Sequence, residues 1–278
     1  MSVASTLKVN WSLTLALSLL VAACGGDSAP DAESMPEVSS TAEAVASAPS
    51  LGDLLAGGAS IFGTFSGPMT PEQGAAIVEN QAADFILYSM ESGLFDLEAM
   101  GAYLEGMQQA SAATGLPAQP VLLRTPAIHT DPETVPGQAA AGLETGAAGI
   151  VFPHVQTADE AAATVAAMGA PWPLGDAGLN VLIVEDQEGI ANVRDIMATE
   201  GLSVVFAGPG DLRRAYEGDM EAVENAIQAV LAACLEFDVP CGVTAGVDDI
   251  GERLDQGFRV IIVTQDEALA VGREHAGR

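Results

Sequence analysis

Eight short apolar runs alternate with alanine-rich stretches along the chain, and this alternation limits its fold more than any other feature. The runs are Ile61–Phe65, Asp84–Tyr88, Val121–Arg124, Gly149–Phe152, Asn180–Glu185, Ser203–Ala207, Cys241–Thr244 and Arg259–Val263. Helical stretches follow them, among others Pro71–Gln81, Asp96–Ala112, Ala158–Met168, Gly189–Thr199, Met220–Phe237 and Gln265–His275. Strands separated by helices must pair in parallel, and a parallel sheet covered on both faces reads as continuous apolar runs. Eight such units in roughly 210 residues predict an α/β fold, a (β/α)8 TIM barrel near the low end of its size range. A doubly wound open sheet competes with it, but no GxGxxG turn follows the first strand.

The barrel accounts for residues 51–278, and the segment before it reads differently. Residues 1–23 contain no acid, a single base (Lys8) and an apolar stretch from Trp11 to Ala23. That is the plan of a secretory signal peptide, too short for a stable membrane span. It ends in Val21-Ala22-Ala23-Cys24-Gly25, which resembles the lipobox of bacterial lipoproteins. The resemblance implies that Cys24 is lipidated and becomes the first residue of the mature chain. The protein would then be anchored in the cell envelope, facing away from the cytoplasm, periplasmic or on the outer membrane. Residues 24–50 are rich in Ser, Ala, Pro and acid without hydrophobic period, as in a disordered linker.

Charge narrows the partners. The chain has 38 Asp and Glu against 9 Lys and Arg, a formal net charge of −29. A surface this acidic repels phosphate backbones, which argues against nucleic-acid binding. The apolar share of 49% excludes a wholly disordered chain. Cys234 and Cys241 are too far apart for a CxxC redox or zinc motif. They read as buried free thiols, with a disulfide as the alternative that an exported protein admits.

Chemistry in a barrel of this kind sits at the carboxyl ends of the strands. Those ends carry Glu91 shortly after the second strand, Arg124 after the third, His154 after the fourth, Glu185 after the fifth and Asp211 after the sixth. Glu185 and Asp211 close adjacent strands, so their carboxylates are expected to hold a cation or share a proton, unless they are solvated loop acids. An all-oxygen pair suits Mg²⁺ or Mn²⁺, with Co²⁺ a further candidate. Arg124, at the rim of an apolar core, calls for an anionic partner, either Glu91 or a substrate carboxylate. Gly208-Pro209-Gly210 turns the backbone sharply, and its amides are candidates to face an anion.

These residues lie in stretches that resemble the HpcH/HpaI aldolase and citrate lyase family, metal-dependent barrels acting on 2-oxo acids. The stretches are Asp84–Leu87 leading to Glu91, Val121–Pro126, Gly146–Gln156, Glu185 with Asn192, Phe206–Leu212 and Asp266. The resemblance implies that Glu185 and Asp211 are metal ligands, that Arg124 holds the 2-oxo acid and that Glu91 braces the site. It implies a retro-aldol lyase that cleaves 4-hydroxy-2-oxo acids to pyruvate, or a related 2-oxo acid, and an aldehyde. A lysine Schiff base is the other common route to such cleavage. The domain contains no lysine, so an aldolase built on it must use the metal.

Two departures from the family pattern fall on the chemistry. Ser89 and Ser92 stand where the family carries an Asp and a His that move protons. Only Ala170–Gly178 separates the fourth helix from the fifth strand, where the family has a longer loop that shapes the pocket and subunit contacts. His154 and His129 are the candidates to replace the missing base, His154 having packing as its alternative. A catalytically impaired lipoprotein that binds a small 2-oxo or dicarboxylic acid is therefore the second reading, and a purely structural surface protein the third. A homo-oligomer is expected from the family, with less force because of the short loop.

Overall fold

The computed structural model describes residues 49–169 and 178–278. The signal peptide, Cys24 and most of the linker lie outside the described residues, as do residues 170–177 of the short connection before the fifth strand. Eight parallel strands form a closed barrel in sequence order: β1 (Ile61–Phe65), β2 (Phe85–Ser89), β3 (Val121–Arg124), β4 (Gly149–Phe152), β5 (Leu179–Val184), β6 (Val204–Ala207), β7 (Cys241–Ala245) and β8 (Val260–Val263). The ring closes where Ile61, Phe62 and Gly63 pair with Val260, Ile261 and Ile262. The open-sheet alternative is thereby excluded.

Side-chain alternation along each strand divides the apolar residues into two layers. Phe85 and Leu87 of β2, Leu122 of β3, Val181 and Ile183 of β5, and Phe206 of β6 fill the barrel interior. Ile86, Tyr88, Leu123, Leu182 and Val205 point outward and are covered by helices. Strands buried on both faces have no polar side, which is why the runs are continuous in the sequence.

The helices follow in order. α1 (Leu51–Ala56) precedes β1; α2 (Pro71–Ile77) and α3 (Leu97–Thr114) flank β2; α4 (Val135–Thr145) precedes β4 and α5 (Ala158–Ala167) follows it. α6 (Gln187–Ala191) and α7 (Val193–Met197) follow β5, α8 (Pro209–Ala215) and α9 (Met220–Phe237) follow β6, and α10 (Ile250–Gln256) and α11 (Glu267–His275) follow β7 and β8. The single helix expected over Gly189–Thr199 is broken at Asn192, whose backbone leaves helical geometry at φ −101°, ψ 5°. Its side-chain amide donates to the Gln156 carbonyl at 2.9 Å, tying the break to the segment after β4.

α1 was not read from the sequence. It begins with a capping box in which Ser50 and Asp53 satisfy each other's backbone N–H groups. Leu51 and Leu55 enter the inner core from the strand-start end, and the Arg259 guanidinium holds the Leu55 and Ala59 carbonyls. The chain's other end is fixed on the same side. Asp84, just ahead of β2, accepts from Arg273 at 2.9 Å and from Arg278 at 2.8 and 2.9 Å.

The cysteines correct the expectation of free thiols. Cys234 and Cys241 form a disulfide, with Cα atoms 5.6 Å apart. α9 ends at Asp238 in a left-handed conformation (φ 55°), and the chain reverses at once into β7. This reversal brings a late-helix side chain against the first residue of the strand.

Candidate active site

Strand alternation explains how the site is assembled. Leu122 points into the barrel, so Arg124, two residues on, points in as well at the top of β3. Phe85 and Leu87 carry the same inward register to Ser89, and Val181 and Ile183 carry it to Glu185. Ser89 and Arg124 are directly paired across β2 and β3. Three polar side chains thus crown a filled apolar interior, and the loops after β2 and β4 add Glu91 and His154.

Arg124 is held from two sides. Its Nε donates to Ser89 Oγ at 2.8 Å, and its Nη2 lies 2.9 Å from Glu91 Oε2. Both members of the ion pair are about four-fifths buried, so the guanidinium is oriented and partly desolvated. The Glu91 partnership is the one expected from sequence; the Ser89 bond is not. Ser89 positions the arginine.

Glu185 is only 3% exposed. Its Oε1 accepts from the His154 backbone N–H at 3.1 Å. Its Oε2 lies against Gly208, where a Cβ would come within 2.3 Å of it, so any other residue there would displace the carboxylate. Burial pushes the Glu185 carboxyl up to about 7, opposed by nearby His154 and reinforced by the charges of Asp211 and Glu91.

His154 adopts a left-handed backbone conformation, φ 52°, uncommon for a residue with a side chain. The turn aims its N–H at Glu185 and its carbonyl at His129 Nδ1, 3.1 Å away. Its ring lies among three acids, with Nε2 3.6 Å from Glu91 Oε1 and 3.7 Å from Glu185 Oε1, and Nδ1 3.8 Å from Asp186 Oδ2. Asp186 raises the imidazole's pKa above its ordinary value, against the effect of burial. Burial works to raise the Asp186 carboxyl, but His154, the Gly189 N–H and the Gln156 amide together hold it down at about 2. Asp186 is a site residue that strand-end reasoning assigns no role. Its signal is local: an Asp three residues before Gly189 serves as the N-cap of α6.

Asp211 is placed differently from expectation. It lines the cleft, but its carboxylate is engaged by Arg214, one helical turn further along α8. The donor atoms that converge within 4.8 Å of one another belong to Glu91, His154 and Glu185. Glu91 Oε1 is buried there without a hydrogen-bond partner. A buried orphan oxygen beside a second carboxylate and an imidazole fits a cation. In the Gly208-Pro209-Gly210 turn, the Gly208 N–H is taken by the Val184 carbonyl at 3.3 Å, Pro209 has none and the Leu212 N–H donates to the Gly208 carbonyl at 3.0 Å, which leaves the Gly210 and Asp211 amides in the first turn of α8 as the ones able to face an anion. The whole opens into a cleft of about 460 Å³ lined by Glu91, Ser92, His129, His154, Asp211 and Arg214, among others.

The model of the HpcH/HpaI aldolase/citrate lyase family matches residues 67–271. The chain is 25% identical over 160 residues to 2-dehydro-3,6-dideoxy-6-sulfogluconate aldolase of Pseudomonas putida, covering 47% of this chain and 62% of that one. It is 30% identical over 153 residues to 5-keto-4-deoxy-D-glucarate aldolase of Klebsiella pneumoniae, covering 45% and 59%. The match thus spans about three-fifths of the length of these relatives. Among solved structures, an HpcH/HpaI aldolase/citrate lyase family protein of Burkholderia cenocepacia superposes with a TM-score of 0.63 at 21% identity, covering 78% of this chain and 93% of that one. The citrate lyase beta subunit of M. tuberculosis, complexed with oxaloacetate and magnesium, gives 0.56 at 17% identity, covering 79% and 98%. These likenesses show the fold, and the family model spans every strand end described above except that of β1. The chain belongs to the HpcH/HpaI aldolase/citrate lyase family.

Proposed function

We propose that this protein is a divalent-metal-dependent carbon–carbon lyase acting on 4-hydroxy-2-oxo acids. The observation that carries the reading is the convergence of Glu91, His154 and Glu185, with the orphan Glu91 oxygen, beside an arginine fixed from two sides. Glu185 and Glu91 would hold the cation, with Asp211 joining them if it leaves Arg214. Bound there, a divalent ion supplies a Lewis acid for the carboxylate and keto oxygens of the substrate. Arg124, already oriented, neutralises negative charge that grows on those oxygens as the carbon–carbon bond breaks.

Cleavage also needs a group to take the proton from the C4 hydroxyl. A carbonyl only accepts, so the contact with the His154 carbonyl requires His129 Nδ1 to carry its hydrogen. In the neutral ring this leaves Nε2 with a free lone pair in the cleft. His129 therefore takes the hydroxyl proton as the C3–C4 bond breaks, and its imidazolium returns that proton to the electron pair left at C3, giving the 2-oxo acid and restoring the neutral ring. Arg214, at the cleft edge, is suited to a substrate with a second anionic end. The names of the Pseudomonas and Klebsiella relatives' substrates describe acids of that kind.

Pyruvate release from 4-hydroxy-2-oxo acids, measured with Mg²⁺, Mn²⁺ or Co²⁺, tests this reading. We expect turnover that chelation abolishes, a loss of about 100-fold or more in kcat/KM for Arg124→Ala, and a similar fall in kcat for His129→Gln. A binder of small 2-oxo or dicarboxylic acids is the second reading. It is favoured by Ser89, whose hydroxyl is spent on Arg124, and by Ser92, neither able to move protons at neutral pH. Metal-dependent pyruvate or oxalate binding with no turnover would select it.

The reading extends to the N-terminal segment. Residues 1–23 direct export, Cys24 carries the lipid anchor, residues 24–50 form the linker and residues 51–278 the lyase domain. The Cys234–Cys241 disulfide suits an oxidising compartment outside the cytoplasm.

A further inference from the structure

We propose that His154 coordinates the cation through Nε2, making this a mixed nitrogen–oxygen centre that prefers a transition ion such as Co²⁺ or Zn²⁺ to Mg²⁺. The inference rests on the lyase reading and names the class of metal that its site takes.

His154 Nε2 stands 3.6 Å from Glu91 Oε1 and 3.7 Å from Glu185 Oε1. Donors about 2.0–2.2 Å from a common ion lie roughly 3–3.5 Å from one another, so a small contraction of the trio suffices. A neutral imidazole nitrogen cannot satisfy Glu91 Oε1 unless it carries the hydrogen, and that oxygen is buried and unpartnered. An ion between the three satisfies all of them.

The opposite ring nitrogen, Nδ1, faces Asp186 Oδ2 at 3.8 Å. Asp186 is itself fixed, accepting from the Gly189 N–H at 2.8 Å and from Gln156 Nε2 at 2.9 Å. A carboxylate behind the imidazole, set by further hydrogen bonds, is the arrangement that selects the tautomer with a free Nε2 and strengthens it as a ligand. The backbone adds to this. His154 is in the left-handed region, a conformation unfavourable for a residue with a side chain that persists only where surrounding contacts determine it. Here its N–H is bound to a carboxylate of the trio and its carbonyl to His129. A histidine that merely packed would need no such turn.

The donor set then decides the ion. Magnesium takes oxygen ligands and keeps several waters, whereas imidazole suits zinc and its transition-metal neighbours. Two carboxylates and one imidazole place the centre with the latter.

Equilibrium dialysis of the full chain against Mg²⁺, Co²⁺ and Zn²⁺, with the visible spectrum of the Co²⁺ form, tests the assignment. His154→Asn tolerates the left-handed backbone, and His154→Gln is a second variant should the first fold poorly. We expect the wild type to bind Co²⁺ and Zn²⁺ more tightly than Mg²⁺. Either variant should weaken Co²⁺ and Zn²⁺ at least tenfold, change Mg²⁺ by no more than about twofold, and alter the Co²⁺ bands. Unchanged Co²⁺ affinity and spectrum overturn His154 as a ligand, equal losses for all three ions overturn the preference for a transition ion, and either result leaves the lyase reading standing. A wild-type protein that binds no divalent ion overturns the lyase reading itself.

Discussion

At the scale of single residues, Glu185 is where the site's electrostatics concentrate. Its folded pKa, about 7, lies above the ordinary 4.5 because of burial, so between those values the native state holds a proton that the unfolded chain has released. The stability this contributes is complete below about 4.5 and is lost as pH rises through 7. In chelated protein, thermal scans across that window should show the wild type losing Tm with rising pH relative to Glu185→Gln, and added divalent ion should restore the loss at high pH. Parallel pH profiles for the two proteins would contradict the burial assigned to this carboxylate. Arg124 was legible in the sequence because a lone guanidinium ending an apolar run has few explanations. Glu185 was legible as a strand-end acid. The closeness of His154 to both glutamates was not, since it depends on a left-handed turn at a residue type that seldom makes one. Nor was the capture of Asp211 by Arg214, since the same helix offers Arg213 beside it and leaves Asp211 within reach of the cleft.

At the scale of elements, α2 and α3 meet backbone to backbone. A Cβ on Gly74 would fall 2.2 Å from the Tyr103 carbonyl oxygen, and one on Gly106 would fall 2.1 Å from that of Pro71. The two glycines let the helices touch, and α3 is the helix that follows the segment carrying Ser89, Glu91 and Ser92. Gly106→Ala should destabilise the fold by about 1–3 kcal/mol, read from urea unfolding, because neither carbonyl can retreat without moving a helix. A stability equal to wild type would refute the close contact. Strand positions were read to within one residue because β-branched runs have sharp edges. The helices were harder: α1 depends on a cap and two leucines, and the division at Asn192 depends on a side chain reaching the loop after β4.

At the scale of the whole molecule, alternation called for parallel strands covered by helices, the missing GxGxxG turn favoured a ring over an open sheet, and the pairing of β1 with β8 decides it. Composition then limits the chemistry. Lys8 is the only lysine in the chain, and it precedes the barrel. Incubation with pyruvate and borohydride should therefore leave the mass of the barrel unchanged, as a covalent imine has no amine to form on; a stable adduct within it would contradict the metal-dependent reading. The reactive groups gather where the strands finish, while α1 and Arg278 are both pinned where the strands begin. One consequence is practical. A resin or affinity handle gripping the described domain at Leu51 or Arg278 takes hold of its floor and leaves its roof open to arriving small molecules, so an immobilised sample should take up divalent ions as readily as one in solution.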